Sequence, residues 1–205
     1  MDVEHVPCEP SAPGIWISGA ETWRPLQYAL HRLIYIGFGL DPLPYRLLSL
    51  VIYICALPLF YHLYNLLLEN KTLSKVAVIL FASYYLNNES VARIVMLSDL
   101  LLPLFCVSTL VCFIHYRKTS NIKYYVSALL LAFLAQQSKE TAVTLPFSLL
   151  VVDYYISQGT FPPKAPSLTD VRRGLLPYLP FCLNALVTLV LIYARPGNPP
   201  FTHLY

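Results

Sequence analysis

Lys139 and Glu140 are adjacent charged residues at the edge of an apolar stretch that runs to Asp153. Charged groups at membrane depth are costly and usually serve a pathway, a partner or a reaction. A lysine can stabilise a phosphate, whereas a carboxylate can act as a base or accept a hydrogen bond. The pair therefore indicates a membrane-embedded polar site.

The chain is too apolar for a soluble domain. Of its 205 residues, 57% are hydrophobic and 12% are charged, whereas about 25% of the residues in a soluble protein are charged. This composition predicts an integral, multi-pass membrane protein with the lipid bilayer as a partner, in the plasma membrane of a prokaryote or the endoplasmic reticulum membrane of a eukaryote. The net charge of +3, without a basic stripe, excludes nucleic acid as an expected partner.

The apolar stretches predict an all-α, polytopic fold. Residues 26–42 predict an amphipathic interfacial helix and turn, because the apolar run is short for a span and is broken by His31 and Arg32. About six spans follow in a transmembrane domain at 43–194. Their expected positions are 44–68, 73–87, 96–116, 121–137, 141–157 and 176–194.

The distribution of basic residues predicts the orientation. The loops after the first, third and fifth spans hold eight basic residues, and the opposite short loops with the exit of the last span hold three. The positive-inside rule places the first set in the cytoplasm, so residues 1–25 and the tail 195–205 are expected outside. An external N-terminus without an upstream helix, together with the abrupt C-terminal end, predicts a fragment of a longer protein.

The cysteines and the potential metal ligands carry no recognisable pattern. Cys55, Cys106, Cys112 and Cys182 lie in apolar stretches without metal or disulfide spacing, and we interpret them as core packing. Histidine, aspartate and glutamate residues also lack ligand spacing. No metal site and no certain cofactor is predicted, although external carboxylates could gather a divalent ion in three dimensions.

Three segments, in order and in register over about residues 23–155, resemble a known family. The first segment holds Trp23-Arg24-Pro25-Leu26, Arg32-Leu33-Ile34-Tyr35 and Gly39-Leu40-Asp41-Pro42. The second holds Glu89-Ser90-Val91-Ala92 with Asp99, and the third holds Ser138-Lys139-Glu140, Val143-Thr144-Leu145-Pro146-Phe147 and Asp153-Tyr154. Together they resemble the C-type (GT-C) polyprenyl-phosphate-sugar glycosyltransferases, in particular the transmembrane-and-tetratricopeptide O-mannosyltransferase-like proteins.

The resemblance implies transfer of a hexose or mannose from a polyprenyl- or dolichyl-phosphate sugar to an extracytoplasmic or lumenal protein or glycan acceptor. Such a reaction needs a carboxylate base and cations that stabilise the leaving phosphate. The resemblance implies that Asp2 or Glu4 is what remains of the acidic pair of the family's first external loop, and their position alone makes them the candidates for the catalytic base. The substrate-binding candidates are expected to converge on one external cleft; they are Arg24, Glu89, Arg93, Asp99, Lys139 and Glu140.

Several of these residues have alternative interpretations. Arg24 could bind phosphate or anchor the chain to lipid head groups, and Glu89 and Arg93 could form an intrahelical pair. Lys139 is assigned to phosphate and Glu140 to a structural donor, because adjacent helical residues do not face each other. Asp153 lies away from the site and is interpreted as structural.

Departures from the family pattern keep a second function open. Histidines that the family carries are replaced by Tyr84 and Asn87, and tetratricopeptide repeats are absent from this sequence. These departures favour a non-catalytic membrane scaffold or pseudoenzyme that keeps the GT-C fold. A transporter fragment ranks third, because it would carry charges at mid-span and inverted repeats.

Overall fold

The computed structural model describes residues 24–84, 91, 93–158 and 176–193, and all the regular secondary structure in these ranges is helical. The seven α-helices of these ranges are α1 (Pro25–Phe38), α2 (Pro42–Leu68), α3 (Lys71–Ala82), α4 (Leu97–Thr119), α5 (Ile122–Ser138), α6 (Leu145–Gln158) and α7 (Leu179–Tyr193). Short 3-10 helices at Ile94–Met96, Glu140–Thr144 and Leu176–Tyr178 lead into α4, α6 and α7. The all-α prediction is therefore confirmed.

Local sequence explains where the helices begin and end. Asp41, Asn70 and Asn121 precede α2, α3 and α5, and each side chain accepts a hydrogen bond from a backbone N–H of the first turn, as N-cap residues do. The turn between α1 and α2 requires Gly39, whose φ of 63° is unfavourable for other residues.

Helix α4 lies at the centre and packs against α2, α5 and α6. Its Phe113 is completely buried with residues of three other helices in one cluster of the core. Ala128, Ala132 and Ala135 of α5 are also completely buried. Their spacing of four and three residues places small side chains on one face, which lets helix backbones approach closely.

Two helical segments are long and apolar enough to cross a membrane, Pro42–Leu68 and Ile94–Thr119. Each contains one internal proline, Pro58 or Pro103. Helices α3, α5, α6 and α7 have 12, 17, 14 and 15 residues, which is shorter than the roughly 20 residues of a typical span. Within the described ranges, the structure thus supports two spans on length and composition.

The helices leave broad apolar faces uncovered. Leu183, Leu186 and Val190 of α7 are each more than half exposed, as expected for a surface that faces lipid. Cys55 and Cys182 are exposed on such faces. The core-packing interpretation is therefore wrong for these two cysteines, because hydrophobicity alone does not distinguish a core position from a lipid-facing one.

The two ends of the bundle carry different polar groups. One end, here called the Lys139 end, contains the first turn of α4 and the break between α5 and α6, with Asp99, Lys139 and Glu140. The other, here called the Arg117 end, contains Arg117 near the end of α4, Asp153 in α6 and Tyr178 before α7. The 17 residues of α5 run between them, a separation of roughly 25 Å at the rise of an α-helix.

Candidate functional site

Lys139 lies where the backbone leaves the helical conformation. Its φ of −159° and ψ of 142° are extended, although its N–H still bonds to the carbonyl of Ala135. Its own carbonyl accepts a 3.1 Å bond from the N–H of Ala142 and so begins the following 3-10 helix. This break places Lys139 and Glu140 between α5 and α6, at the end of the bundle.

Lys139 and Asp99 form an ion pair in which the ammonium donates to Asp99 Oδ1. The two residues are 40 positions apart in the chain, and the pair joins the C-terminus of α5 to the first turn of α4. The side chains of Lys139 and Asp99 are 24% and 28% exposed, so both are partly accessible. Asp99 is also favourably placed near the positive end of the α4 dipole.

Five buried side-chain polar atoms in the described part of the chain lack a hydrogen-bond partner. Native proteins satisfy nearly all such groups, so each of these atoms can receive a ligand or a water molecule. All five belong to residues close to the Asp99–Lys139 pair in the chain or to the segment of α1 that contacts the start of α4. They are Arg24 Nε, Gln27 Oε1, Ser98 Oγ, Gln136 Nε2 and Glu140 Oε2.

Helix α1 reaches the Lys139 end through Gln27. Gln27 is 4% exposed, and its Nε2 donates to the carbonyl of Val95 at 2.8 Å. Arg24, at the N-cap of α1, precedes Gln27 by about one turn. His31 lies one turn further along, and burial lowers the pKa of its imidazole.

Gln136 connects the same end to α7. Its Oε1 is 2.8 Å from Thr188 Oγ1, which is also 3.0 Å from the carbonyl of Asn184. A hydroxyl donates only one hydrogen. When the Gln136 amide is turned over, its NH₂ donates to Thr188 and Thr188 donates to Asn184. In either orientation, one polar atom of this buried amide stays without a partner.

The predicted candidates divide into three groups. Asp99 and Lys139 are in direct contact, and Glu140 follows them with a buried, unpartnered Oε2. The two arginines precede helical segments of this end: Arg24 is the N-cap residue of α1 and has a buried Nε, and Arg93 is exposed directly before the 3-10 helix that leads into α4. Asp2, Glu4 and Glu89 lie outside the described residues.

Sequence reasoning missed three uncharged members of this end, Gln27, Ser98 and Gln136. Each is at most 4% exposed, and each lies in or beside an apolar stretch. An amide or hydroxyl within such a stretch was the only available signal. It does not distinguish a group that binds a ligand from one whose hydrogen bonds are made within the protein.

At the Arg117 end, by contrast, the carboxylate of Asp153 has partners within the protein on both oxygens. Arg117 Nε is 2.7 Å from Asp153 Oδ1, and the hydroxyl of Tyr178 donates to Asp153 Oδ2 at 2.6 Å. The Asp153 side chain is 12% exposed. The structural interpretation of Asp153 is therefore confirmed.

Two histidines also meet at the Arg117 end. The Nε2 atoms of His62 and His115 are 3.0 Å apart, the ring planes differ by 17° and the ring centroids are 5.3 Å apart. Because 3.0 Å is closer than stacked faces approach (about 3.5 Å), the rings lie edge to edge and share one hydrogen bond. Groups of three or more metal-ligating side chains do not occur among the described residues.

Comparison with known proteins places the chain in a family. The dolichyl-phosphate-mannose-protein mannosyltransferase family matches residues 25–169, which is most of the chain. The chain belongs to this mannosyltransferase family. The resemblance found in the sequence is thereby confirmed, and the matched range contains Asp99, Lys139 and Glu140.

The chain is also similar to individual members of the O-mannosyl-transferases. It is 28% identical over 177 residues to protein O-mannosyl-transferase TMTC3 of Homo sapiens, covering 84% of this chain and 19% of that protein. It is 32% identical over 126 residues to protein O-mannosyl-transferase Tmtc1 of Drosophila melanogaster, covering 60% of this chain and 14% of that protein. The chain thus spans about a fifth or less of the length of these relatives. No solved structure gave a significant match.

Proposed function

We propose that this chain forms the membrane-embedded part of a GT-C-like mannosyltransferase that takes its sugar from a dolichyl- or polyprenyl-phosphate carrier. The proposal depends on one observation at the Lys139 end. Lys139 is partly accessible, and residues that neighbour Lys139 or Asp99 in the sequence carry buried polar atoms without a hydrogen-bond partner. The family membership supplies the class of donor, and a protein or glycan is the proposed acceptor.

Lys139 is the proposed phosphate ligand. Its ammonium is already oriented by Asp99 and retains about a quarter of its exposure. An arriving phosphate would compete with the Asp99 carboxylate for the same donor. A charge-assisted hydrogen bond of this kind contributes about 1.5–3 kcal/mol, enough to move the ammonium from one anion to the other when the second brings additional contacts.

The remaining groups would act on the sugar and the acceptor. Glu140 Oε2 and Gln27 Oε1 are acceptors without donors, which suits them to hydroxyl groups of a sugar. Arg24 and Arg93 would add positive charge for the phosphate, and Glu89 is proposed as a further substrate-binding residue from its place in the matched sequence segment. Asp2 or Glu4 would supply the base that takes the proton from the acceptor hydroxyl.

The proposed topology has six spans within residues 43–194, with 26–42 as an interfacial helix and turn. Residues 1–25 and 195–205 then lie on the same side as the Lys139 end, outside the cytoplasm or in the lumen. The membrane would be the endoplasmic reticulum membrane of a eukaryote or the plasma membrane of a prokaryote. The short helices would cross it with help from the rest of a longer protein.

Cysteine labelling would test this orientation. Thr141 and Lys118 are exposed at opposite ends, unlike Ser138, which is completely buried. In a cysteine-free background, a membrane-impermeant thiol reagent added outside should label Thr141→Cys. Lys118→Cys should be labelled only after the membrane is permeabilised. The opposite pattern would contradict the proposed orientation.

Binding of dolichyl phosphate to the whole chain in nanodiscs would test the site itself. Lys139→Ala should weaken binding by about 10- to 100-fold, the equivalent of one charge-assisted bond. Asp99→Asn should instead strengthen it severalfold, because it removes the competing carboxylate. Lys123→Ala, an exposed lysine at the Arg117 end, is the matched control and should bind like the native protein.

A non-catalytic scaffold is the second candidate, and the existing Asp99–Lys139 pair favours it, because a lysine already partnered within the protein can serve packing alone. In that case both Lys139→Ala and Asp99→Asn would lower stability and neither would alter dolichyl phosphate binding. Unchanged binding in Lys139→Ala would therefore reject the transferase proposal for this site.

A further inference from the structure

A shallow groove runs between α2 and α3, on a different part of the molecule from the Lys139 end. It has a volume of about 350 Å³ and is lined by Leu57, Pro58 and Tyr61 of α2 and by Lys75, Val78 and Ile79 of α3. Five of these six side chains are apolar or aromatic. Lys75 is the single charged group of the lining.

The two helices leave this groove open for a sequence reason. Pro58 lies inside α2, where its ring prevents a normal backbone hydrogen bond and disturbs the helix. On the facing helix, Ile79 is 63% exposed. The groove walls therefore present alkyl surface that α2 and α3 do not bury against each other.

The charge of the groove is concentrated at one end. Lys75 lies in the second turn of α3, whereas Val78 and Ile79 lie about one turn further along the helix. Lys71 precedes Lys75 by four residues and so shares its side of the helix. A lysine stem can line an apolar groove while its ammonium stays at the polar boundary, which places a cationic rim beside an apolar floor.

We infer that this groove is a binding site for an anionic phospholipid, which would place one acyl chain along Leu57, Val78 and Ile79 and its phosphate at Lys75. The complementarity is between a phosphodiester with an alkyl chain and a groove with one cationic end. The site is distinct from the one proposed for the sugar carrier, because Lys75 lies at the Arg117 end, beside the turn that joins α2 to α3. It does not depend on the proposed transferase function.

Charge also argues against a second copy of the chain as the occupant. Lys71 and Lys75 are both exposed, and a symmetric contact through this face would bring four lysines together without an acid in the groove lining. Anionic head groups attract such lysines, and a preference of about fivefold for an anionic over a zwitterionic lipid is expected from one lysine at the surface.

The experiment compares lipids retained by the whole purified chain under native mass spectrometry, using phosphatidylglycerol and phosphatidylcholine. The native protein should retain phosphatidylglycerol about fivefold better. Lys75→Gln should abolish this preference, and Ile79→Trp, which fills the groove at an exposed position, should reduce retention of both lipids. Lys123→Gln, an exposed lysine at the same end but outside the groove, should behave like the native protein.

Two outcomes would overturn the inference. Equal losses in Lys75→Gln and Lys123→Gln would show that only diffuse charge attracts the lipid. Dimers that disappear in Ile79→Trp, with unchanged lipid retention, would assign the groove to a second copy. Dolichyl phosphate binding should persist in Lys75→Gln and fall in Lys139→Ala, so failure here is distinguishable from failure of the transferase proposal.

Discussion

The two ends of the bundle use charge in opposite ways. At the Arg117 end, Asp153 accepts from Arg117 and from Tyr178, so both carboxylate oxygens are occupied. At the Lys139 end, Asp99 and Lys139 pair, but polar atoms of neighbouring residues remain buried and unpartnered. A satisfied network stabilises the fold, whereas an unsatisfied one keeps capacity for a ligand. The comparison therefore separates an end whose buried aspartate is satisfied within the protein from an end that keeps unsatisfied polar atoms.

The largest expected effect is on stability at the Arg117 end. Asp153→Asn should lower the free energy of unfolding by about 2–3 kcal/mol, because the Asp153 side chain is 12% exposed and loses the charge that strengthens its bonds from Arg117 and Tyr178. Asp99→Asn should cost only about 1 kcal/mol, since the Asp99 side chain is 28% exposed, against 12% for Asp153. Denaturant titration in detergent micelles would measure the free energy of unfolding of both variants. Tyr178→Phe removes only the hydroxyl that donates to Asp153 and should cost about 1–2 kcal/mol. Equal losses at the two ends would break the comparison.

Exchanging the charges at the Lys139 end sharpens the distinction between packing and binding. The double variant Asp99→Lys with Lys139→Asp keeps an ion pair between α4 and α5, so stability should stay within about 1 kcal/mol of native. Dolichyl phosphate binding should still fall at least tenfold, because the ammonium then projects from α4 instead of from the break after α5. Retained binding in this variant would show that the position of the lysine does not matter.

A smaller effect distinguishes two serines at the same end. Ser98 and Ser138 are both completely buried, but only Ser138 has a partner, the carbonyl of Leu134 at 2.9 Å. Ser98→Ala should raise the free energy of unfolding by about 0.5–1 kcal/mol, because it removes an unsatisfied hydroxyl. Ser138→Ala should lower it by a similar amount. Destabilisation by Ser98→Ala would mean that its hydroxyl is already satisfied, which would weaken the case for a ligand there.

The smallest predicted effect concerns pH and the docking of α1. Burial lowers the pKa of His31 below its usual 6.5, so the folded state prefers the neutral ring and the unfolded state binds the proton more readily. The resulting stability is present above about pH 6.5 and is lost as the pH falls below it. After correction for intrinsic rates, amide exchange in α1 should be faster at pH 5.5 than at pH 7.5. His31→Phe should not show this difference; an identical pH response in that variant would assign it to another group.

Family membership and helical class were predictable because both depend on local information. Ser138-Lys139-Glu140 and Glu89-Ser90-Val91-Ala92 are contiguous motifs, and the caps at Asp41, Asn70 and Asn121 are local too. Span number was harder to predict, because α3 and α6 are apolar but end after 12 and 14 residues. Hydropathy measures how apolar a stretch is and does not show where its helix ends. The cysteine interpretation was wrong at Cys55 and Cys182 for a related reason, since lipid-facing and core positions have the same composition.

The sequence by itself determined that the chain is helical, apolar and a member of a mannosyltransferase family, because composition, caps and contiguous motifs act over a few residues. Only the tertiary structure decided which charges are paired. Lys139 meets Asp99 across 40 residues, and Arg117 meets Asp153 across 36. It also decided that Gln27, Ser98 and Gln136 are buried at the same end as Lys139. Such contacts depend on which helices pack together and in what register. That choice results from the summed packing of Phe113, the alanines of α5 and their neighbours, and not from any single residue in a motif.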